Sequence, residues 1–109
     1  MKLKIKYTWD AVNDLDSIFD YISEDNRAAA AKMLMRIEEA ILKLGNNPRM
    51  GTVVSAESFS FLGPGYRKII IKPYIVFYRI GDNEIYISRV LHSRQDWIHL
   101  LFNADFPKD

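Results

Sequence analysis

The sequence has no cysteine. That absence excludes a disulfide framework and thiol catalysis, and it fits a reducing compartment. No apolar run approaches the roughly 20 residues that a membrane-spanning helix requires. The first residues, Lys2-Leu3-Lys4-Ile5-Lys6, alternate charged and apolar side chains, unlike the continuous apolar stretch of about 7–15 residues in a signal peptide. Histidine is scarce: with only His92 and His99, and no cysteine to join them, neither a metal site nor a cofactor is expected. Repeats, low-complexity tracts and linkers are missing as well. What is there is 109 residues, 49% of them hydrophobic. That predicts one globular domain over residues 1–109, cytoplasmic and not membrane-bound.

An excess of one charge sign is missing too. The formal net charge is +1, whereas a dedicated nucleic-acid binder is ordinarily more basic. The small sum hides a segregation. Between Asp10 and Glu39 the acids Asp10, Asp14, Asp16, Asp20, Glu24, Asp25, Glu38 and Glu39 outweigh Arg27, Lys32 and Arg36. Between Gly65 and Arg94 the bases Arg67, Lys68, Lys72, Arg79, Arg89 and Arg94 outweigh Asp82 and Glu84. One part of the chain is acidic, and another can present a local anion-facing patch.

Periodicity supplies the elements. Lys2 to Tyr7 alternates as a short half-buried strand does. Thr8, or Asp10 if the start is later, caps a helix in which Val12, Leu15, Phe19 and Ile22 recur at helical spacing, with Asp14, Asp16 and Asp20 on the opposite side. Asn26 caps a second helix through Arg27 and on to Leu44. Its stripe is Ala30, Leu34, Ile37, Ile41 and Leu44, and Gly45-Asn46-Asn47-Pro48 ends it. So short a connection makes the two helices antiparallel neighbours. Arg49 to Phe61 reads as a loop or an irregular strand. Three strands follow, Tyr66 to Lys72, Tyr74 to Ile80 and Glu84 to His92, the last two joined by the turn Gly81-Asp82-Asn83. Gln95 to Phe102 can form a short terminal helix. The order β-α-α-β-β-β predicts an α+β fold, an antiparallel sheet with a helical hairpin packed on one face. In the last strand Val90, His92 and Arg94 are out of phase with Ile85 and Ile87, which places a bulge near Ser88.

The chemistry-bearing residues are few. Arg89-Val90-Leu91-His92-Ser93-Arg94 ends the last strand in an imidazole flanked by two guanidiniums. With Arg67, Lys68 and Arg79 they make a candidate basic patch of Arg67, Lys68, Arg79, Arg89, His92 and Arg94, suited to anionic or planar groups. The plainer reading is a strand leaving the core with solvated charges. Ser93 and His92 are no nucleophilic pair, because adjacent strand residues point to opposite faces. Gly63-Pro64-Gly65 lacks the lysine and spacing of a phosphate loop. Asp16 and Asp20 read as a solvated helix face, and Trp9 and Trp97 as core edges.

This combination resembles the RelE/ParE superfamily of toxins from bacterial type II toxin–antitoxin modules. The resemblance rests on Ala11-Val12-Asn13-Asp14-Leu15 with Ile18 and Tyr21-Ile22, on Ala29-Ala30, on the Ile37, Ile41, Leu44 stripe, and on Pro48 and Gly51. It continues through Arg67, the run Tyr74 to Ile80, and Ile85, Ile87, Val90, His92 and Arg94. It spans about Tyr7 to Phe102. The ending Val90-Leu91-His92-Ser93-Arg94-Gln95-Asp96 looks most like the ParE branch, whose members are also known as plasmid-stabilisation proteins.

The resemblance implies a cognate antitoxin as partner, in a hetero-oligomer, and one of two targets. ParE-like members poison DNA gyrase and are not known to use a catalytic set. RelE-like members cut messenger RNA on the ribosome with lysines, arginines and a tyrosine or a histidine–glutamate set. Arg67 and Arg94 match basic positions of the sheet, and His92 matches the histidine common in ParE and in some RNase members. The RelE lysine pair has no match, since Arg49 to Leu62 contains no lysine, and in place of its C-terminal tyrosine stand Trp97, Phe102 and Phe106. The reading taken is therefore a gyrase poison without catalysis of its own. The alternative is an endoribonuclease in which Arg67 and Arg94 stabilise the phosphorane and His92 moves the proton. A third is a diverged member acting as an interaction module. A His92 within reach of Arg67 would favour cleavage.

Overall fold

The computed structural model describes residues 2–54 and 65–95. They form β1 (Lys4–Tyr7), α1 (Trp9–Ser23), α2 (Arg27–Lys43), β2 (Thr52–Val53), β3 (Arg67–Ile71), β4 (Tyr74–Ile80) and β5 (Glu84–His92). The fold is α+β: a helical hairpin over a five-stranded sheet in the order β1-β5-β4-β3-β2. The terminal helix expected over Gln95 to Phe102, with Trp97 and His99, lies outside the described residues beyond Gln95. Among the described residues, no helix is long and apolar enough to cross a membrane.

Both helices start where their caps predict. Thr8 Oγ1 accepts from Ala11 N at 3.1 Å, and Asn26 Oδ1 accepts from Ala29 N at 3.0 Å. Each bond satisfies one of the donors left over at a helix start. On α2 the buried residues are Ala30, Ile37 and Ile41, followed by Leu44 at the C-cap, on the expected stripe. On α1 the stripe is rotated. Ala11 and Ile18 are its buried residues, with Leu15 and Ile22 packed beside them, while Val12 and Phe19 flank the contact. The small Ala11 lets the helix start approach the sheet closely, which turns the larger neighbours aside. Ile69, Ile71, Tyr74, Val76, Tyr78, Ile85, Ile87 and Val90 complete this core from the sheet.

The sheet is mixed rather than wholly antiparallel. β2–β3–β4–β5 pair antiparallel, but β1 runs parallel to β5, with Lys4 opposite Glu84 and Tyr7 opposite Ile87. Tight turns force antiparallel pairing only on strands adjacent in sequence. β1 is separated from β5 by both helices and three strands, a crossover long enough for a parallel partner.

The bulge is where the phase change puts it. Phe77 pairs with Arg89 and Tyr78 with Ile87, leaving Ser88 as the extra residue. It brings Val90 onto the same helix-facing side as Ile85 and Ile87. It also ends the β1 pairing: Thr8 N donates to Ile87 O, and Thr8 Oγ1 donates to Ser88 O at 2.9 Å. One threonine thus closes a strand, opens a helix and holds the bulge.

Candidate functional site

The register decides which candidate residues can act together, and it divides them into four places.

Arg67 begins β3 at one end of the sheet, on the helix-facing side with Ile69 and Ile71. Its guanidinium donates to Gly51 O at 2.8 Å. The neighbouring Tyr78 hydroxyl accepts from Gly51 N at 2.9 Å and donates to Pro48 O at 2.7 Å. Burial pushes the Tyr78 phenol above its ordinary pKa of 10.0, while the Gly51 bond and Arg67 pull the other way. Gly51 must be glycine: a Cβ there would stand 2.6 Å from both Lys68 O and the Tyr78 hydroxyl. This corner anchors the chain leaving α2 onto the sheet.

Arg89 follows the bulge, and its partner is Asp14 of α1. Nε and one terminal nitrogen donate to the two carboxylate oxygens at 2.8 and 2.9 Å. Asp14 Oδ2 also accepts from Val90 N at 2.9 Å, on the edge of β5 that β1 no longer covers. The side chains are 20% and 13% exposed. The hydrogen bond to Asp14 holds the Arg89 guanidinium above its ordinary pKa, against the opposing pull of burial. Asp14 was expected on the solvated side of α1 and instead faces the sheet. A bulge leaves a main-chain donor without a ladder partner, and this carboxylate supplies the acceptor. Arg89 thus ties the last strand to α1 through Asp14.

His92 and Arg94 lie at the other end of the sheet. His92 pairs with Tyr74, whose ring meets the imidazole edge-on at 5.4 Å and 84°. His92 Nδ1 accepts from Arg94 N at 3.1 Å, which puts the neutral ring's proton on Nε2. The turn is braced by His92 N donating to Gln95 Oε1 at 2.8 Å and Gln95 N donating to His92 O at 2.9 Å. Beside it runs a groove of about 660 Å³, lined among others by Asp14, Tyr21, Ile22, Met33, Tyr74 and His92. Burial, and after it the nearby Tyr21, push the Tyr74 phenol upward.

Lys68 and Arg79 alternate onto the opposite face of the sheet. Lys68 stands opposite Phe77 in register, and the Arg79 guanidinium lies 5.1 Å from the centre of the Tyr66 ring, a cation–π contact.

The structure thus joins His92 to Arg94 through the turn, but it does not bring Arg67 to them. Arg67 is four residues along β3 from Ile71, Ile71 pairs with Tyr74, and Tyr74 pairs with His92. At about 3.3 Å per residue that is roughly 13 Å along the strands, besides two strand spacings of about 4.8 Å. Among the described residues no group of three or more His, Cys, Asp or Glu could hold a metal ion. Asp14, Tyr74 and Tyr78 carry much of the polar structure here and were not predicted. The phase change at Ser88 signals the bulge, but nothing near Asp14 in the sequence marks it as the acceptor the bulge requires.

This architecture has known relatives. A family model for the ParE toxin of the type II toxin–antitoxin system parDE matches residues 5–97. Toxin ParE3 of Caulobacter vibrioides is 34% identical over 84 residues, 76% of this chain and 79% of the relative. Toxin RelE2 of the same organism is 28% identical over 90 residues, 83% and 94% of the two chains. In the solved chromosomal ParDE toxin–antitoxin system of P. aeruginosa, one chain superposes with a TM-score of 0.67 at 26% identity, covering 84% of this chain and 96% of that one. A mutant of E. coli RelE in the free state superposes with a TM-score of 0.69 over 98% and 100% of the two chains. At 10% identity it shares the fold alone.

Proposed function

The chain belongs to the ParE toxin family of type II toxin–antitoxin systems, and from that premise we propose that it poisons DNA gyrase and is neutralised by a cognate antitoxin protein. The relatives include toxins named for both branches, ParE3 and RelE2, so the choice of target rests on the site.

The observation that carries the gyrase reading is the separation of Arg67 from His92 along the register. Cleaving RNA through its 2′-hydroxyl takes a base, an acid and positive charge on one phosphorane, all within hydrogen-bond reach of a single nucleotide. Here Arg89 is paired with Asp14, Arg67 reaches Gly51, and only His92 and Arg94 share a turn. A gyrase poison needs a binding surface and no such set. The antitoxin reading draws on the ParDE relative, which is a toxin–antitoxin system by its own name. The toxin works as a single cytoplasmic domain, without a cofactor, in a hetero-oligomer with the antitoxin.

Expression without the antitoxin should stop growth with topoisomerase-trapped DNA breaks and an induced SOS response. The His92→Ala variant should stay toxic. Codon-positioned cleavage of messenger RNA by the purified protein on ribosomes, abolished by His92→Ala or Arg67→Ala, would replace this reading with the endoribonuclease one.

A further inference from the structure

A second groove, of about 450 Å³, runs between α2 and β3. Arg36 and Lys43 line it from the helix, and Lys72 from the turn between β3 and β4. Arg36 and Lys43 are seven residues apart on one side of α2, about 10 Å along its axis. All three cations are exposed, and among the described residues none has a carboxylate within salt-bridge distance. Glu39 lies on the helix between the first two and pairs with neither. The groove thus holds three positive charges against one negative.

A main-chain donor faces the same place. Val54 N donates to Tyr66 O, and Lys68 stands opposite Thr52, so Tyr66, Lys68 and Ile70 turn their peptide groups away from β4. β2 reaches only as far as Lys68. The Ile70 N–H therefore points past it and has no acceptor among the described residues. The Ile70 side chain stands on the other face of the sheet from α2, out of phase with Ile69 and Ile71, and Ile71 is buried in the core. What the groove offers is charge and an amide donor, with little apolar side chain besides Ala40.

We propose that this groove grips the phosphodiester backbone of the DNA duplex that gyrase holds. The proposal rests on the gyrase reading above and adds to it a contact between toxin and DNA. Backbone contacts are made by arginine, lysine and main-chain N–H groups, the donors present here. A protein partner would call for an apolar anchor, which the groove lacks. The distance from Arg36 to Lys43 along the helix spans about three nucleotides of one strand, at roughly 3.4 Å each. The chain's net charge is only +1, so this contact supplements a grip on gyrase and does not replace it.

The test follows a fluorescein-labelled duplex of about 20 base pairs by anisotropy, from about 20 to 200 mM salt. Each phosphate contact contributes about 0.9 to the salt slope. Arg36→Gln/Lys43→Gln/Lys72→Gln should therefore lower the slope by about 2–3 and weaken binding about 10-fold or more at low salt. The control Arg27→Gln/Lys32→Gln, at the exposed start of α2, should stay within about 3-fold of wild type. Melting curves check folding. In the wild type the duplex should slow hydrogen exchange of the Ile70 amide, a readout that stands even if the triple variant misfolds. A folded triple variant that binds the duplex as the wild type does, a wild type that fails to bind it at low salt, or an unchanged Ile70 amide overturns the groove. With gyrase and plasmid present, the triple variant should need about 10-fold more protein to trap breaks. Equal trapping also overturns the groove and leaves the gyrase reading intact. A wild type that binds the duplex through these residues yet traps no breaks removes the gyrase reading alone. Binding of a glutamate decamer that the triple variant loses, with duplex affinity unchanged, would reassign the groove to an acidic protein.

Discussion

Arg89 stands in the last described strand, and Arg94 five positions on, in the turn that follows it. Arg89 lies at a closed junction, where its guanidinium, the Asp14 carboxylate, the Val90 amide and the Thr8 hydroxyl all find partners across the fold. Arg94 lies in an open turn. There the hydrogen bonds run within His92–Gln95 or across to Pro73 O, and the Arg94 side chain is exposed. Identical chemistry therefore serves different ends according to what the backbone leaves unsatisfied nearby. The bulge created a need that Arg89 and Asp14 meet. The turn meets its own needs and leaves Arg94 to the surroundings.

Breaking the closed junction should give the largest effect. Asp14→Ala removes the acceptor of two guanidinium bonds and of the Val90 amide. It should cost about 3 kcal/mol, seen as a fall in melting temperature of about 12 °C or more. A loss below about 0.5 kcal/mol would mean that the pair contributes no more than a surface salt bridge does. The Arg67 corner is equally closed, and Gly51→Ala tests it by crowding. The added Cβ would press on Lys68 O and the Tyr78 hydroxyl, at about 2 kcal/mol in urea unfolding.

Tyr78 sharpens the comparison through pH. Its folded-state pKa lies above the ordinary 10.0, so the folded protein holds this proton more tightly than the unfolded chain. The stability that follows is fully present below about pH 10 and is lost as pH rises from there through the folded value. Denaturation followed between about pH 9 and 12 should show this loss, and Tyr78→Phe should reduce it, leaving the part that Tyr7 and Tyr74 contribute. The smallest effect belongs to the open turn. Arg94→Ala should shift stability by no more than about 0.5 kcal/mol. A larger loss would show that the turn is a second junction.

Local features were legible in the sequence, and features set by distant partners were not. Thr8 and Asn26 announce helix starts because a cap and the amide it serves are three residues apart. The bounds of β4 and β5 follow from their turns, and the Ser88 bulge from the phase change between Ile87 and Val90. The inward turn of Asp14 was invisible, since its partner Arg89 is 75 positions away and an aspartate among Asp10, Asp16 and Asp20 reads as solvated. The direction of β1 was equally hidden, because alternation marks a strand but not its neighbour. The six basic residues read as one patch because composition carries no register. Pairing distributes them over two faces and both ends of the sheet.

The parallel pairing of β1 with β5 bears on how the chain is made. Lys4 finds Glu84, and Thr8 finds the bulge across 80 positions. Contacts of such separation carry the largest loop-closure entropy and form late. During synthesis from the N-terminus, the α1–α2 hairpin is available early, and β3 and β4 can pair as soon as both have emerged. β1 waits for β5, with its edge uncovered and Lys4 and Lys6 alternating along it, side chains that discourage stray pairing. The sheet closes only when the last described strand, β5, has emerged to take β1 as its parallel neighbour.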